Sequence, residues 1–533
     1  MNRKISTLPS PPSVEALRFH PRVTRSPSDK IVSLTELGRA TALARTRGRK
    51  VVLCHGTFDL LHIGHVKHLE AARAFGDLLI VTATGDAYVN KGPGRPVFGE
   101  HMRAEMLAQL EIVDYVAVNH AYDAVNVIGE VRPAFYVKGQ DYQNPDGDIS
   151  GKIVAEREAA EANGGQLVFT DEIMFSSSQL INRHMNIYEP HVRQHLDTMR
   201  EGEKSAEINR LIDKLAESRV LVVGETIIDE YHYVFPMDKA AKENIIATRY
   251  QDGESFAGGV IATANNAASL CREVEVITVV GERDSHIEVI RQALAPNVRL
   301  HTIVRPSAPT IRKRRYIDQT LLRKLFEVDF IDDTPVPLEV AEKLDALIRE
   351  RAPGFDVVIA NDFGHGMIGA STIATLTEAA PFLAVNTQSN SSNLGFNLVT
   401  KYSRADLVVV DSIEARLATK QKHLDLTEII NNYLPQMVDC PRFVITQGRH
   451  GCVTYERGGL VHSIPAFAAS VVDTMGAGDA FLAVAAPLAA AGASADLIGF
   501  IGNVVGAQKV NIVGHRKSVD RVSIRKAIAA LLK

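Results

Sequence analysis

The segment Val51–His65 constrains the fold more than any other part of the sequence. It opens with an apolar run that is typical of a strand buried in a parallel sheet. The run breaks at Gly56-Thr57, and apolar residues then recur at helical spacing from Val66 to Phe75. A buried strand, a tight turn and a helix direct backbone N–H groups and the positive end of a helix dipole to one place, which favours a phosphate.

Two histidines stand where this turn becomes the helix. His62 and His65 are three residues apart, so both imidazoles lie on one helix face, and Gly64 leaves room for a ligand to approach the backbone. There they could stabilise charge that develops on the α-phosphate and the leaving pyrophosphate of a nucleotide. The alternatives are half of a metal site or two surface histidines.

Together with the preceding Gly-Thr-Phe-Asp, these histidines resemble the nucleotidyltransferase superfamily that includes glycerol-3-phosphate cytidylyltransferase. Its members transfer a nucleotidyl group from a nucleoside triphosphate to a phosphate ester and release pyrophosphate. The resemblance implies that His62 and His65 are catalytic. It also implies nucleotide contacts from three residues of the turn, Gly56, Thr57 and Phe58.

Four further short apolar runs alternate with helical patterns: Leu78–Ala83, Tyr115–Val118, Phe135–Lys138 and Leu167–Phe169. This alternation predicts a small, doubly wound parallel sheet of Rossmann-like type. A helix is predicted ahead of it over Ser33–Arg45, with Ser33 as cap and Glu36 three residues on. We therefore predict an α/β nucleotidyltransferase domain over residues 30–188.

The resemblance assigns further residues of this domain. It implies that Lys91, in a loop rich in glycine and proline, and Arg103, predicted to open a helix Arg103–Leu110, contact phosphates and are catalytic. Asp86 follows the second strand, at the sheet edge where such folds bind ligands. The other implied nucleotide contacts are Lys138, Gly139, Asp141, Ser176, Ser177 and Ser178, and Gln140 replaces a glycine of the family pattern. A plain helix cap would explain one of the three serines.

Length and composition bound the rest of the chain. With 533 residues, two or three domains are expected, and a net charge of −4 indicates neither a nucleic-acid partner nor attraction to a membrane. The four cysteines are widely spaced, which favours reduced, buried thiols in the cytoplasm. An Ala-rich stretch over 480–495 is interpreted as a buried helix rather than a membrane span. Residues 1–29 are polar and are predicted to be a disordered arm, without the apolar core of a signal peptide.

The second half of the chain centres on Asp473-Thr-Met-Gly-Ala-Gly-Asp479. Gly476, Ala477 and Gly478 precede an Ala-rich helix and offer bare N–H groups at its N-terminus to a transferring phosphoryl group. Asp479 is placed to accept a proton from an attacking hydroxyl. This segment resembles the ribokinase family of ATP-dependent sugar kinases. We predict a helical connector over residues 189–217 and a doubly wound, ribokinase-like kinase domain over 218–533.

Other segments add to this second resemblance. It implies substrate contacts from Asp229, Gly258, Gly259, Asp362 and Asp473, and nucleotide contacts from Thr446, Gly448 and Gly451. It also implies that Glu414 helps to organise Mg²⁺. The basic run Arg312–Arg315 is interpreted equally well as a phosphate contact or as a solvated strand face.

Several residues depart from the family pattern. Ala262 stands where an asparagine usually holds sugar hydroxyls, His365 replaces a lysine, and Asp411 replaces an asparagine. Asn386-Thr387-Gln388 stands where heptose kinases have Asp-Pro-Lys. Because a lost buried hydrogen-bonding partner changes binding by about 1–3 kcal/mol, we expect an altered choice of sugar. A degenerate kinase is the alternative.

Joined in one chain, the halves resemble bifunctional heptose enzymes, with the order of the two domains reversed. The resemblance implies phosphorylation of a heptose-phosphate-like sugar and nucleotidyl transfer to a sugar 1-phosphate, with Mg²⁺ and ATP, or CTP at the first domain. It implies a cytoplasmic homodimer whose partners are a sugar phosphate and a nucleoside triphosphate, without nucleic acid or membrane insertion. Two alternatives stay open: an active transferase with a non-catalytic, kinase-like sensing module, and cytidylyl transfer to a small polyol phosphate.

Overall fold

A computed structural model describes residues 26–91, 95–139, 152–170, 188–239, 245–320 and 323–533. The chain divides into two compact units, the first made of residues 1–88 and 98–174 and the second of 89–97 and 175–533. Among the described helices, none has the length and apolar character needed to cross a membrane.

The first unit is built on a parallel sheet whose described strands follow the order β3-β2-β1-β4-β5. The strands are β1 Val51–Gly56, β2 Leu78–Thr84, β3 Tyr115–Asn119, β4 Phe135–Gly139 and β5 Gln166–Thr170. They confirm the predicted apolar runs. Since all five run the same way, their carboxyl ends form one edge, where β1 leads into the histidine turn.

The described helices of this unit are α1 Pro27–Lys30, α2 Leu34–Thr46, α3 Ile63–Arg73, α4 Glu100–Ala108, α5 Val125–Val131 and α6 Lys152–Ala162. The predicted cap of α2 is confirmed, because Ser33 and Glu36 form a reciprocal capping box. Two predicted boundaries differ from the structure, the end of the N-terminal arm and the start of α4. The arm predicted to be disordered to residue 29 ends in α1, and its residues 1–25 lie outside the described residues.

Helix α4 begins at Glu100, three residues before the predicted start at Arg103. The reason is a reciprocal pair of hydrogen bonds between two carboxylates and two backbone N–H groups. Glu100 N donates to Asp86 Oδ2 at 3.0 Å, and Asp86 N donates to Glu100 Oε2 at 2.8 Å. A carboxylate at the first turn also favours the positive end of the helix.

The second unit contains a nine-stranded sheet in the described chain, in the order β10-β9-β6-β13-β14-β15-β16-β17-β18. In this order, the first seven strands pair in parallel, and the last two, β17 and β18, pair antiparallel. The strands are β6 Arg219–Gly224, β9 Glu273–Arg283, β10 Val298–Pro309, β13 Val357–Asp362, β14 Leu383–Thr387, β15 Leu407–Asp411, β16 Arg442–Thr446, β17 Cys452–Glu456 and β18 His462–Ile464.

A separate four-stranded sheet, which we call the lid sheet, has the order β12-β11-β7-β8. Its strands are β7 Thr226–Lys239, β8 Ile246–Gly259, β11 Ile311–Asp318 and β12 Arg323–Phe330. The sequence analysis did not predict it, because its strands carry many charges. On β11 the alternate residues Lys313, Arg315 and Ile317 are buried.

Helices cover both faces of the nine-stranded sheet. Those described are α7 Pro190–Glu201, α8 Lys204–Leu215, α9 Val260–Ala268, α10 Ile287–Ala293, α11 Leu338–Arg351, α12 Ala370–Ala379, α13 Ser412–Thr419, α14 Ala477–Ala490, α15 Ala495–Lys509 and α16 Arg521–Leu531, with an irregular helical stretch over 426–437. The predicted connector is formed by α7 and α8, whose apolar faces join the core of this unit. The Ala-rich segment is the buried helix α14, as predicted.

All four cysteines are buried and unpaired. Burial raises the pKa of each thiol to about 12. They are therefore inert core residues rather than ligands or nucleophiles.

Candidate functional site

The histidine turn of the first unit joins β1 to α3. His62 caps the helix, and its Nδ1 accepts a hydrogen bond from Gly64 N at 3.1 Å. The His62 and His65 rings stack with centroids 4.0 Å apart, and Phe58 meets His65 edge to face at 5.2 Å. The sequence prediction that both imidazoles share one face is confirmed by this stacking.

The turn is held in an unusual backbone conformation. Phe58 has φ of 50°, which a non-glycine residue rarely adopts, and its side chain is buried. A Cβ on Gly56 would lie 3.2 Å from the Phe58 ring, so a larger residue there would press on it. Asp59, fully buried, accepts a hydrogen bond from Phe98 N at 3.3 Å. These contacts fix the turn that presents the histidines.

Arg103 is fully buried and stabilises the histidine turn through hydrogen bonds to backbone carbonyls. Its guanidinium donates to the carbonyl of Thr57 and, at 2.7 Å, to that of Thr84. It also donates to Phe98 O at 2.9 Å and to Asp86 Oδ1 at 2.6 Å. The prediction placed Arg103 and Asp86 on phosphates. In the structure both belong to a polar network beneath the turn, because a buried arginine must find an acceptor for each N–H group.

Lys138 lies on β4 at the carboxyl edge of the sheet and is buried. Its ammonium forms an ion pair with buried Glu156 at 3.2 Å, and Glu156 also accepts from Tyr136 OH at 2.9 Å. The neighbouring Gly139 has open space around the position of a Cβ. Within the described residues there is thus space beside Gly139, while Lys138 is engaged with a carboxylate.

A histidine that the sequence analysis passed over lies on β1. His55 Nδ1 shares a hydrogen bond with Thr82 Oγ1 at 2.9 Å, across the sheet from Lys138. Burial, together with the Lys138 charge, lowers the pKa of His55 to about 3, so the ring is neutral. A histidine next to the turn is visible in the sequence, but its burial is not.

The roles of the remaining predicted residues of the first site stay predictions. Lys91 lies in the segment Val89–Val97, which clusters with the second unit. Asp141, Ser176, Ser177 and Ser178 lie outside the described residues.

In the second unit, helix α14 begins at Ala477, and the preceding Gly476 is its N-cap, with a left-handed φ of 71°. Among the described residues no side chain caps this helix, although Ala477 N donates to Thr474 O at 3.3 Å, and no described atom apart from adjacent residues and the helix backbone lies within 4 Å of a Cβ placed on Gly478. A Cβ on Gly476 would lie 2.5 Å from His515 Cε1, which explains why only glycine fits there. Binding of a phosphoryl group at this turn, which we call the anion-binding turn, stays a prediction.

Asp479 lies in the first turn of α14 and is buried. Its Oδ1 accepts hydrogen bonds from Asn361 Nδ2 and Gln388 Nε2, both at 3.3 Å. Burial raises the pKa of Asp479, opposed by His515 and the Asn361 amide. A carboxylate with a raised pKa beside an anion-binding turn suits a general base.

Asp229 of β7 faces the same region. Its carboxylate pairs with Arg315, and His515 Nε2 lies 3.4 Å from Oδ2. Although burial opposes ionisation, hydrogen bonds and charge from His515 and Arg315 keep the pKa of Asp229 below its usual value. A Cβ on Gly258 would lie 2.1 Å from Asp229 Oδ2, so this glycine allows the carboxylate its place. At the next position, Gly259 has φ of 58° and directly precedes α9, which begins at Val260.

Asp473 is held by four donors. Its oxygens accept from Tyr231 OH at 2.7 Å, Lys324 Nζ at 2.9 Å, Gly514 N at 2.9 Å and Met475 N at 3.1 Å. Burial opposes ionisation, but these donors outweigh it and lower the pKa of Asp473 to about 2. It was predicted to bind substrate, yet its oxygens connect the lid sheet to the anion-binding turn.

Asp362 at the end of β13 is likewise enclosed. It accepts from Tyr402 OH at 2.9 Å and pairs with Lys401 at 2.5 Å. Nearby Glu225 accepts the N–H groups of Phe363 and His365, and burial together with the Asp362 charge raises the pKa of Glu225 to about 7. The predicted substrate contact at Asp362 therefore lies within a buried network that shapes the loop after β13.

Glu414 forms a capping box with Asp411 at the start of α13. Its oxygens accept from Ser389 N at 2.9 Å and Asp411 N at 2.6 Å. Burial raises the pKa of Glu414 to about 7, against these two N–H groups. Across the part of the chain that is described, no three His, Cys, Asp or Glu side chains are grouped closely enough to hold a metal ion.

The predicted nucleotide-binding turn follows β16. Thr446 ends the strand, a single 3-10 turn begins at Gly448 with φ of 53°, and Gly451 follows it with φ of 92°. A Cβ on Gly451 would lie 2.0 Å from Ile464 O. Both glycines are thus required by backbone geometry, and only the open space beside Gly448 is available to a ligand.

Sequence reasoning missed Arg315, His515, Lys509 and Lys324 in this second site. Arg315 was seen only as part of a charge run, and nothing in the sequence of β11 distinguishes it from the neighbouring basic residues. The other three residues come from segments without a recognised motif. Lys509 is fully buried, and its ammonium donates to Gly514 O.

Comparison with known proteins matches both units. A model of the pfkB family of carbohydrate kinases matches residues 217–521, which is more than half of the chain. A cytidylyltransferase-like model matches residues 53–183, so this region precedes the kinase-like one. Phosphofructokinase-2 from Escherichia coli has a solved structure with 14% identity and a TM-score of 0.49, covering 59% of this chain and all of that one.

Curated relatives are similar over the first region. The bifunctional protein HldE of Geobacter sulfurreducens is 42% identical over 140 residues, which are 26% of this chain and 27% of that protein. That of Citrifermentans bemidjiense is 41% identical over 165 residues, 30% of this chain and 32% of that protein. Each match thus spans less than a third of the relative. By the extent of the kinase match, the chain belongs to the pfkB family of carbohydrate kinases and carries a cytidylyltransferase-like region ahead of the kinase region.

Proposed function

We propose that the chain is a bifunctional enzyme of sugar-nucleotide synthesis. The second unit phosphorylates a sugar phosphate with ATP, and the first transfers a nucleotidyl group to a sugar 1-phosphate and releases pyrophosphate. The observation that carries the proposal is Asp479, a buried carboxylate at the start of a helix without a side-chain cap. Similarity to bifunctional HldE proteins supports the transferase half.

The kinase step follows from two features of this site. Asp479 takes the proton of the acceptor hydroxyl, whose oxygen attacks the γ-phosphorus of ATP while the bond to ADP breaks. The N–H groups of the first turn of α14, after Gly476, stabilise the charge on the transferred group. A hydroxyl acceptor must therefore reach the space between Asp479 and the acceptor-side residue Asp229.

A recessed lysine supports an acceptor that is itself phosphorylated. Lys313 is 7% exposed, and no described carboxylate lies within 4.0 Å of its ammonium. It is the register partner of Asp229 on the lid sheet. Burial and the Lys313 charge lower the pKa of nearby His365 to about 4, so His365 is neutral and its Nδ1 has no partner among the described residues. The Lys313 charge also acts on Glu327, but a buried ammonium without a described carboxylate within 4.0 Å favours an anionic group on the ligand.

Mg²⁺ is proposed to accompany ATP in the second unit. Glu414 is a buried carboxylate, the ligand type that Mg²⁺ prefers, and the Asp479 charge contributes to its raised pKa. With both Glu414 oxygens engaged by backbone N–H groups, this residue fits a role through water. The ion would neutralise charge on the phosphates of ATP.

In the first unit, His62 and His65 are proposed to stabilise the phosphates of a nucleoside triphosphate. The oxygen of the sugar phosphate attacks the α-phosphorus, and pyrophosphate leaves. The fixed stacking of the two rings at the start of α3 supports this role, since it adds two imidazoles to the positive end of a helix. ATP is proposed as the nucleotide, with CTP as the alternative.

We further propose a cytoplasmic homodimer. Phe235, Tyr250 and Phe326 of the lid sheet are each about half exposed, which favours contact with a second copy. The second candidate function keeps the transferase and makes the kinase unit a binding module. It is favoured by the engagement of Asp229 with both Arg315 and His515, which leaves a sugar to compete for that carboxylate.

Two screens on the full chain test the proposal. Pyrophosphate release is measured for ATP and CTP against a panel of sugar 1-phosphates, and ADP release for ATP against sugars and sugar phosphates. We expect one nucleotide and one sugar class to stand out in each screen. Absence of both products across the panels would refute the proposal, and pyrophosphate without ADP would favour the binding-module alternative.

A further inference from the structure

Two side-chain amides converge on one oxygen of Asp479. Asn361 Nδ2 and Gln388 Nε2 both lie 3.3 Å from Oδ1. They come from different elements, since Asn361 is on β13 and Gln388 follows β14. The carboxylate therefore accepts hydrogen bonds from residues at the ends of two neighbouring strands.

The orientation of the Asn361 amide is set by its partners. Its Nδ2 also donates to Thr263 Oγ1 at 2.6 Å, and Asn361 is fully buried. An ionised carboxylate only accepts hydrogen bonds, so the N–H side of the amide must face Asp479. The Asn361 Oδ1 atom is left buried and without a partner among the described residues. Asn361 is thus a fixed support, while Gln388 reaches in from a loop.

The two oxygens of Asp479 differ in their hydrogen bonds. Oδ1 is occupied by two donors, whereas no described residue donates to Oδ2. We propose that Gln388 is a positioning residue that, together with Asn361, holds Oδ1 so that Oδ2 receives the proton of the acceptor hydroxyl. This inference rests on the kinase activity proposed above. The proton moves from the hydroxyl to Oδ2, the new bond forms between that hydroxyl oxygen and the γ-phosphorus, and ADP leaves with the electrons of the broken bond.

The charged groups that act on Asp479 are on residues other than Gln388. His515 and Lys509 favour its ionised form, while Asp229 and Glu414 oppose it. Replacing Gln388 by leucine removes one donor to the ionised carboxylate and should raise its pKa. Replacing it by lysine adds a cation and should lower that pKa.

The experiment compares Gln388→Leu and Gln388→Lys with a matched variant, Gln421→Leu. Gln421 serves as the control because, in the described structure, its side chain makes no hydrogen bond to Asp479. For Gln388→Leu we expect kcat to fall roughly tenfold, with the KM for ATP within twofold. The acid limb of the kcat profile should move up by roughly one pH unit in the leucine variant and down in the lysine variant. A merely structural role would not move this limb in opposite directions.

A second measurement does not require turnover. The carbon-13 shift of the Asp479 carboxyl, assigned by its loss in Asp479→Asn, gives the titration midpoint directly. We expect the midpoint to rise in Gln388→Leu and to stay unchanged in Gln421→Leu. An active wild type with equal midpoints in wild type and Gln388→Leu would overturn the positioning role alone. A wild type without any kinase activity would overturn that role and the proposed function together.

Discussion

Replacing Arg103 by methionine should destabilise the first unit and distort the histidine turn. The guanidinium is fully buried and donates to the carbonyls of Thr57, Thr84 and Phe98 and to Asp86. Each carbonyl left without a donor costs about 1 kcal/mol. The ion pair adds little, because the Asp86 side chain is 42% exposed. We therefore expect a loss of about 3–4 kcal/mol, a large share of the stability of a typical domain.

Hydrogen exchange followed by mass spectrometry on the full chain measures this loss locally. Protection of β1 and β2 should fall in Arg103→Met, while β13 and β14 should exchange as in the wild type. Arg39→Met, at an exposed position of α2, is the matched control. Pyrophosphate release should fall along with protection, because the Thr57 carbonyl belongs to the turn. Unchanged protection with lost activity would refute this reasoning and return Arg103 to a direct contact with phosphate.

Three further outcomes are expected. Gly476→Ala places a Cβ 2.5 Å from His515 at a residue with φ of 71°, so phosphorylation should fall more than tenfold while pyrophosphate release stays unchanged. Lys313→Met should raise the KM for a phosphorylated sugar at least tenfold but leave that for the unphosphorylated sugar within twofold, with Lys343→Met as control; equal changes for both sugars would contradict an anionic subsite. The raised pKa of Glu225, about 7, means that the folded chain binds its proton more tightly than the unfolded chain. The contribution of Glu225 to the free energy of unfolding therefore falls as pH rises from 4.5 to 7. Between pH 5 and 8, calorimetry should show that the free energy of unfolding of the wild type falls by on the order of 3 kcal/mol relative to that of Glu225→Gln. A pH-independent difference between the two proteins would disagree with this.

The parallel sheets were predictable because buried parallel strands appear in the sequence as short apolar runs. Val51–Gly56, Leu78–Thr84 and Leu407–Asp411 all follow such runs. The glycine turns were equally visible, since the positive φ of Gly476 and of Gly451 requires a residue without Cβ. Local chemistry therefore located the turns at which phosphate binding is proposed.

The roles of buried charges were not predictable, because one sequence does not reveal which charged residue lies in the interior. Arg103 was expected on a ligand but holds backbone carbonyls. Arg315 belonged to a charge run, and only the folded structure reveals that it is buried and pairs with Asp229. Gln388 was noticed as a departure from a motif, and its contact with Asp479 needed the fold.

Separating the two activities by mutation tests the central claim most directly. Pyrophosphate release and ADP release are measured on the full chain as wild type, His65→Asn and Asp479→Asn, with His101→Asn and Asp439→Asn as controls at exposed positions. We expect His65→Asn to lose only pyrophosphate release and Asp479→Asn to lose only phosphorylation. Phosphorylation that survives in Asp479→Asn, or pyrophosphate release that survives in His65→Asn, would contradict the assignment of the corresponding unit.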